Sequence, residues 1–160
     1  MEHDLQILSA SIGKALADRS LTVSTAESCT GGLLSHTLTG VSGSSQYFIG
    51  GVIAYSNQIK EEVLGVRSET LLEHGAVSEE TAREMAAGIR ERFNTDIGLS
   101  TTGIAGPTGG TPTKPVGLVW IGISAHEATF AFECHFKGSR DEVKVSTVSE
   151  VLTRLLEFLN

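Results

Sequence analysis

Basic residues are the first shortage. Twelve Lys and Arg stand against nineteen Asp and Glu, a formal net charge of −7. Nucleic-acid binders rely on basic stripes that displace counterions, so that class of partner is excluded. A small anionic ligand held by a few placed groups is not. Cysteine is nearly missing: Cys29 and Cys134 lie far apart and fit no metal-ligand spacing. So few thiols point to a reduced, cytoplasmic setting. No apolar run approaches the ~20 residues of a membrane span. Glu2 and Asp4 stand where a secretory leader would carry basic residues.

What remains reads as one globular domain. A chain of 160 residues buries roughly two-thirds of the surface that it exposes when unfolded, and needs no staple. Leu5, Leu8, Ile12, Ala15 and Leu16 recur at helical spacing over residues 4–18. Residues 21–26 are β-prone, and a helix closed by Gly40 follows. Residues 47–55 read as a buried strand, with a bulge or close contact at Gly50 and Gly51. A polar helix over 57–65 comes next. Ser68 and Ser78 are each placed as N-caps, the second opening a helix to about Phe93. Residues 96–102 form a strand, 103–115 a loop, and 116–124 with 128–136 a hairpin. Ser139 and Glu142 make a capping box. The last helix carries Val148, Val151, Leu152, Leu155 and Leu159 on one face. Strands alternating with helices predict a three-layer α/β/α sandwich. The hairpin makes its sheet mixed, though mostly parallel.

Glycine is plentiful, and its clusters mark two unusual loops. The stretch 24-STAESCTGG-32 follows the first strand; 103-GIAGPTGG-110 follows the third. Ligands of open α/β sheets gather at the carboxyl ends of the strands, so both loops are expected on one rim. A helix beginning near Thr30 would present unpaired N–H groups. Ser28 would then be a nucleophile beside oxyanion donors, or an ordinary N-cap. Cys29 is a reactive thiol or a small buried residue. Glu27 orients a neighbour, accepts helix N–H bonds or is solvated. The second loop reads as an anion cradle or a surface connection. It is neither a Walker A loop nor a dinucleotide fingerprint.

A serine nucleophile needs a base. None of the five histidines lies within a turn of Ser28, although one could approach through the fold. The alternative is a lysine whose pKa burial lowers. In 55-YSNQIK-60, Tyr55 ends a strand and Lys60 falls in the first turns of the next helix. Both could face the rim, or Lys60 could be a solvated helix charge.

The motifs 26-AESCTGG-32, 43-GSS-45, 55-YSNQIK-60, 74-HGAVSEE-80, 103-GIAGPTGG-110, 114-KPVGLVW-120 and 138-GSRDEV-143 together resemble one family. It is the C-terminal domain family of the competence- and damage-inducible CinA proteins. Its stand-alone members are nicotinamide-nucleotide amidohydrolases. The resemblance runs over nearly the whole chain. It implies hydrolysis of nicotinamide mononucleotide to nicotinic acid mononucleotide and ammonia, without a metal or organic cofactor. By the same resemblance, Ser28 attacks and Lys60, aided by Tyr55, is the base. Backbone groups near Cys29, Thr30 and Gly31 hold the oxyanion. Thr102, Gly103, Ala105, Gly106, Thr108 and Arg140 bind the mononucleotide, and a homo-oligomer, a dimer, is implied. Relatives often carry Arg at the position of Lys144, and a lysine cannot make the bidentate contact of a guanidinium. A non-catalytic nucleotide-binding or regulatory module is the competing reading. It would need the glycine cradle but neither nucleophile nor base.

Overall fold

The first strand, β1 (Val23–Glu27), is buried along its whole length, so its side chains point alternately into two apolar layers. Val23 packs beside the helices α1 (Glu2–Asp18), α2 (Leu33–Thr39) and α6 (Arg140–Leu159). Thr25 and Glu27 face the same way and meet Ser35 of α2. Ser24 and Ala26 point to the opposite layer, built from α3 (Asn57–Leu64), α4 (Ser68–His74) and α5 (Glu79–Phe93). This is the predicted three-layer sandwich. The computed structural model describes residues 2–160.

Besides β1, the sheet contains β2 (Phe48–Ile53), β3 (Ile97–Gly103), β4 (Leu118–Ser124) and β5 (Thr129–His135). Their order is β2-β1-β3-β4-β5. β1 pairs in parallel with β2 and β3, while β3–β4 and β4–β5 are antiparallel. Only β4 therefore runs against the others. The chain leaves β1 for β2 through α2 and returns from β2 to β3 through α3, α4 and α5. These connections step in opposite directions, so the right-handed rule sends them over opposite faces. The reversal opens a crevice at the carboxyl ends of β1 and β3.

Local signals match the ends of several elements. The Ser78 side chain caps α5 by accepting the Thr81 N–H. Ser139 and Glu142 form the reciprocal capping box of α6. Its predicted apolar face is buried without exception. Among the described residues no helix is long and apolar enough to cross a membrane.

Three local expectations are corrected. β2 is an edge strand with alternate residues in solvent: Ile49 and Ile53 are 52% and 53% exposed. Its apolar run resembles a buried strand because Phe93 and α2 cover the remaining positions. The bulge is present, since the register passes from Phe48 to Gly50 and skips Ile49. Ser68 is the first residue of α4, not its cap; Arg67 caps it without a side-chain bond. Lastly, α2 begins at Leu33 rather than near Thr30. Gly31 and Gly32 take positive φ of 58° and 106°, which holds residues 29–32 in a turn and delays the helix.

One glycine decides where α3 sits. A Cβ on Gly88 of α5 would lie 1.9 Å from the Leu64 carbonyl oxygen. Gly88→Ala must therefore push α3 away from α5. Overpacking of this kind costs about 1–3 kcal/mol, and the expected loss is measurable by chemical denaturation.

Candidate active site

The alternation of β1 continues one residue past its end. Glu27 faces α2, so Ser28 faces the opposite layer, where α3 begins. The Ser28 N–H donates to the Thr101 carbonyl of β3 (2.9 Å), which fixes the turn against the neighbouring strand. Its Oγ then lies 3.0 Å from Nζ of Lys60.

Lys60 is placed by the local chemistry of α3. Ser56 caps the helix through the Ile59 N–H, and left-handed Gly65 closes it. Lys60 falls on the inner face and is 1% exposed. Its amine contacts the carbonyls of Ala54 (2.9 Å) and Tyr55 (3.2 Å), besides Ser28. No carboxylate pairs with it among the described residues. Burial without a counter-charge lowers its pKa from the ordinary lysine value; the neighbouring Cys29 acts weakly the other way. Its N–H groups reach the two carbonyls and the Ser28 hydroxyl oxygen, so loss of one proton would leave a lone pair facing Ser28.

Cys29 lines the same cleft, but burial pushes its thiol up to about 12. It is therefore protonated near neutral pH and a poor nucleophile. Its backbone is better equipped. Among the described residues, the N–H groups of Cys29 and Thr30 donate to no protein oxygen. The N-terminus of α2 is not available as a donor set. The Glu27 carboxylate already accepts the N–H groups of Gly32, Leu34 and Ser35.

The crevice has a volume of about 280 Å³. Ser28, Cys29, Tyr55, Lys60, Thr102, Gly103, Ala105, Gly106, Thr108 and Arg140 all line it, so two loops, a helix and the start of α6 converge there. Among the described residues neither a carboxylate nor a histidine lines it. Its only formal charges are cationic, within a chain of net −7. Arg140 donates to the Gly106 carbonyl (2.8 Å) and to the Tyr55 hydroxyl (3.0 Å), bridging both rims. Tyr55 meets Lys60 through its carbonyl only, while its phenol pairs with Arg140. Gly106 has φ of 84°, and a Cβ there would meet Val116 at 2.4 Å, so a larger residue would displace the loop.

Two predicted positions stand apart from the cleft. The Thr30 side chain is buried against Glu27 and Thr101, and Gly31 forms the turn behind. Lys144 reaches Gly31 rather than the cleft. The histidines also lie elsewhere, which removes them as direct partners of Ser28. Asn57, Ala76, Val77, Ile104 and Gly109 complete the wall. Their signal was position: Asn57 lies inside 55-YSNQIK-60, and Ala76 and Val77 lie inside 74-HGAVSEE-80. Thr102 ties the second of these segments to β3 by donating to the Ala76 carbonyl (2.7 Å).

The chain matches known proteins over almost its full length. The family model for the CinA C-terminal domain covers residues 5–159. A putative competence-damage inducible protein of Thermoanaerobacter pseudethanolicus is 51% identical over 146 residues, 91% of this chain and 35% of the relative. The chain thus spans about a third of the length of the curated relatives that it matches. Among solved structures, the competence/damage inducible protein CihA from Agrobacterium tumefaciens superposes with a TM-score of 0.96 at 39% identity. That comparison covers 98% of this chain and 96% of the other. The competence damage-inducible protein A from Klebsiella pneumoniae gives 0.94 at 36%, covering 97% and 96%. By model, sequence and structure alike, the chain belongs to the CinA C-terminal domain family.

Proposed function

We propose that this domain is a serine amidase that hydrolyses the carboxamide of nicotinamide mononucleotide, giving nicotinic acid mononucleotide and ammonia. The observation that carries the reading is the contact between Ser28 Oγ and a buried lysine amine without a counter-charge. A binding module has no use for that pair, because burying an uncompensated amine is costly. An enzyme gains a base from it.

Ser28 Oγ attacks the carboxamide carbon as its proton passes to Lys60 Nζ. The carbonyl oxygen becomes an oxyanion that the N–H groups of Cys29 and Thr30, next in the chain, would stabilise. The Lys60 ammonium then returns its proton to the amide nitrogen. The C–N bond breaks and ammonia leaves an acyl-serine. Water attacks this ester with Lys60 again as base, releasing the carboxylate product and restoring Ser28. Arg140 and the glycine loop face the other end of the cleft, where the 5′-phosphate gains from a guanidinium and from backbone donors.

Ammonia release from nicotinamide mononucleotide by the purified protein is the direct test. Cys29→Ala should keep turnover within ~3-fold, because a thiol held near 12 supplies no thiolate. The phosphate-free riboside should show a raised KM. Nucleotide binding with no ammonia release would favour the non-catalytic module instead. Ammonia release lost with Cys29→Ala and kept with Ser28→Ala would move the nucleophile to sulfur.

A further inference from the structure

Glu27 is the one carboxylate beside the candidate nucleophile, and the reaction sequence above does not use it. It is fully buried. It meets no cation among the described residues; five donors converge on it instead. Oε1 accepts the Thr30 hydroxyl (2.6 Å), the Leu34 N–H (2.8 Å) and the Gly32 N–H (3.2 Å). Oε2 accepts the Ser35 hydroxyl (2.7 Å) and the Ser35 N–H (3.0 Å). A Ser35 hydroxyl that donates to Glu27 is left to accept from Thr25, at 2.8 Å. A carboxylate has about four lone-pair directions and no proton, so it can serve so many donors at once.

These bonds span the turn that follows Ser28. One end of the network holds the start of α2. The other passes through Thr30 to the Thr101 hydroxyl (2.7 Å), and the Thr101 carbonyl accepts the Ser28 N–H. The turn is therefore pinned on both sides of the Cys29 and Thr30 N–H groups, which donate to no protein oxygen among the described residues. Glu27 also consumes the donors of α2, which leaves Cys29 and Thr30 as the donors nearest the nucleophile.

We infer that Glu27 is a positioning residue: its carboxylate holds the 28–32 turn so that the Ser28 hydroxyl and the Cys29 and Thr30 N–H groups meet the reacting carbon together. This rests on the amidase reading for its chemistry, while the geometry of the turn stands without it. The expected signature is in kcat. A misplacement of about 1 Å costs on the order of 10²-fold. The phosphate end of the cleft is built by other elements, so binding should hardly change.

Glu27→Gln is the sharp test. It keeps shape and volume but turns an N–H pair toward donors that need an acceptor. Its kcat should fall ~10²-fold with KM within ~3-fold. The rate at which a fluorophosphonate labels Ser28 should fall in parallel. Thr30→Val removes one of the five donors to Glu27 together with the link to Thr101 and should give a smaller loss of the same kind, which covers the case of a Gln variant that does not fold. Folding is checked by near-ultraviolet circular dichroism and Tm. A folded Glu27→Gln, or Thr30→Val in its place, with wild-type kcat and labelling would overturn the inference. So would a loss confined to KM. Should wild type neither release ammonia nor take the label, the amidase reading fails on its own. The amide ¹H–¹⁵N resonances of residues 28–32 then decide: displaced in the variant, the positioning role holds; unmoved, it is refuted.

Discussion

Ser28→Ala is expected to lower kcat for amide hydrolysis by ~10⁴-fold or more, with mononucleotide affinity kept within ~3-fold. Losing the nucleophile of a serine hydrolase costs on the order of 10⁶ in a well-studied case, and the remaining rate comes from binding and oxyanion donors. Here those remaining parts are separate pieces of chain. In the proposed mechanism the N–H groups are those of Cys29 and Thr30, and the anion end is that of Arg140 and the glycine loop. Removing one hydroxyl leaves both in place. Stopped assays on the variant give kcat, and titration calorimetry gives affinity. Turnover near wild type would refute the nucleophile assignment. Lost affinity with an intact fold would show that Ser28 serves binding instead.

Lys60→Met is the second large effect. General acid–base groups contribute about 10²–10⁴-fold. Lys60 acts in both half-reactions of the proposed sequence, so the upper part of that range is expected. The pH dependence supplies a sharper signature. Burial lowers the pKa of Lys60. Below that lowered value the amine carries three protons, aimed at Ala54, Tyr55 and Ser28, and has no lone pair. Above it the neutral amine accepts the serine proton. Wild-type kcat/KM should therefore fall as pH drops through the lowered pKa, and level off above it. In Lys60→Met that limb should vanish. Lys60→Arg should fail equally, since a guanidinium stays charged throughout. A Met variant retaining the same acidic limb would assign the titration to another group.

The two sides of the Glu27–Ser28 step explain why a short motif can hold so much. In a strand, neighbouring side chains point to opposite faces. Glu27 can thus organise α2 while Ser28 faces Lys60 across the sheet. The stretch 24-STAESCTGG-32 is dense in hydroxyls for the same reason. Ser24, Thr25 and Thr30 all spend their hydroxyls on internal bonds, to Thr95, Ser35, and Glu27 with Thr101. Only Ser28 of this group faces the cleft.

Much of this was legible along the chain, because the signals are local. The caps at Ser78 and Ser139 depend on residues three apart. The apolar face of α6 depends on helical period. The loops at 24–32 and 103–115 announce themselves through glycine. The failures share a cause as well. β2 reads as buried because an apolar run does not say whether a strand has one neighbour or two. Ser68 reads as a cap because a serine before a helix looks alike at the cap and one residue inside it. Thr30 reads as the helix start, since nothing in TGG states that both glycines will take positive φ.

Fold class, family and the list of candidate groups were thus decided by the amino-acid order alone, through periodicity, caps and several consecutive motifs. The pairing of Ser28 with Lys60, and the division of labour between Arg140 and Tyr55, were decided only when the chain closed. Thirty-two positions separate serine from lysine and 85 separate tyrosine from arginine, so no local spacing encodes either contact. Burial did the rest: the lowered pKa of Lys60 and the raised pKa of the Cys29 thiol come from lost water, a property of the packed interior that no residue carries by itself.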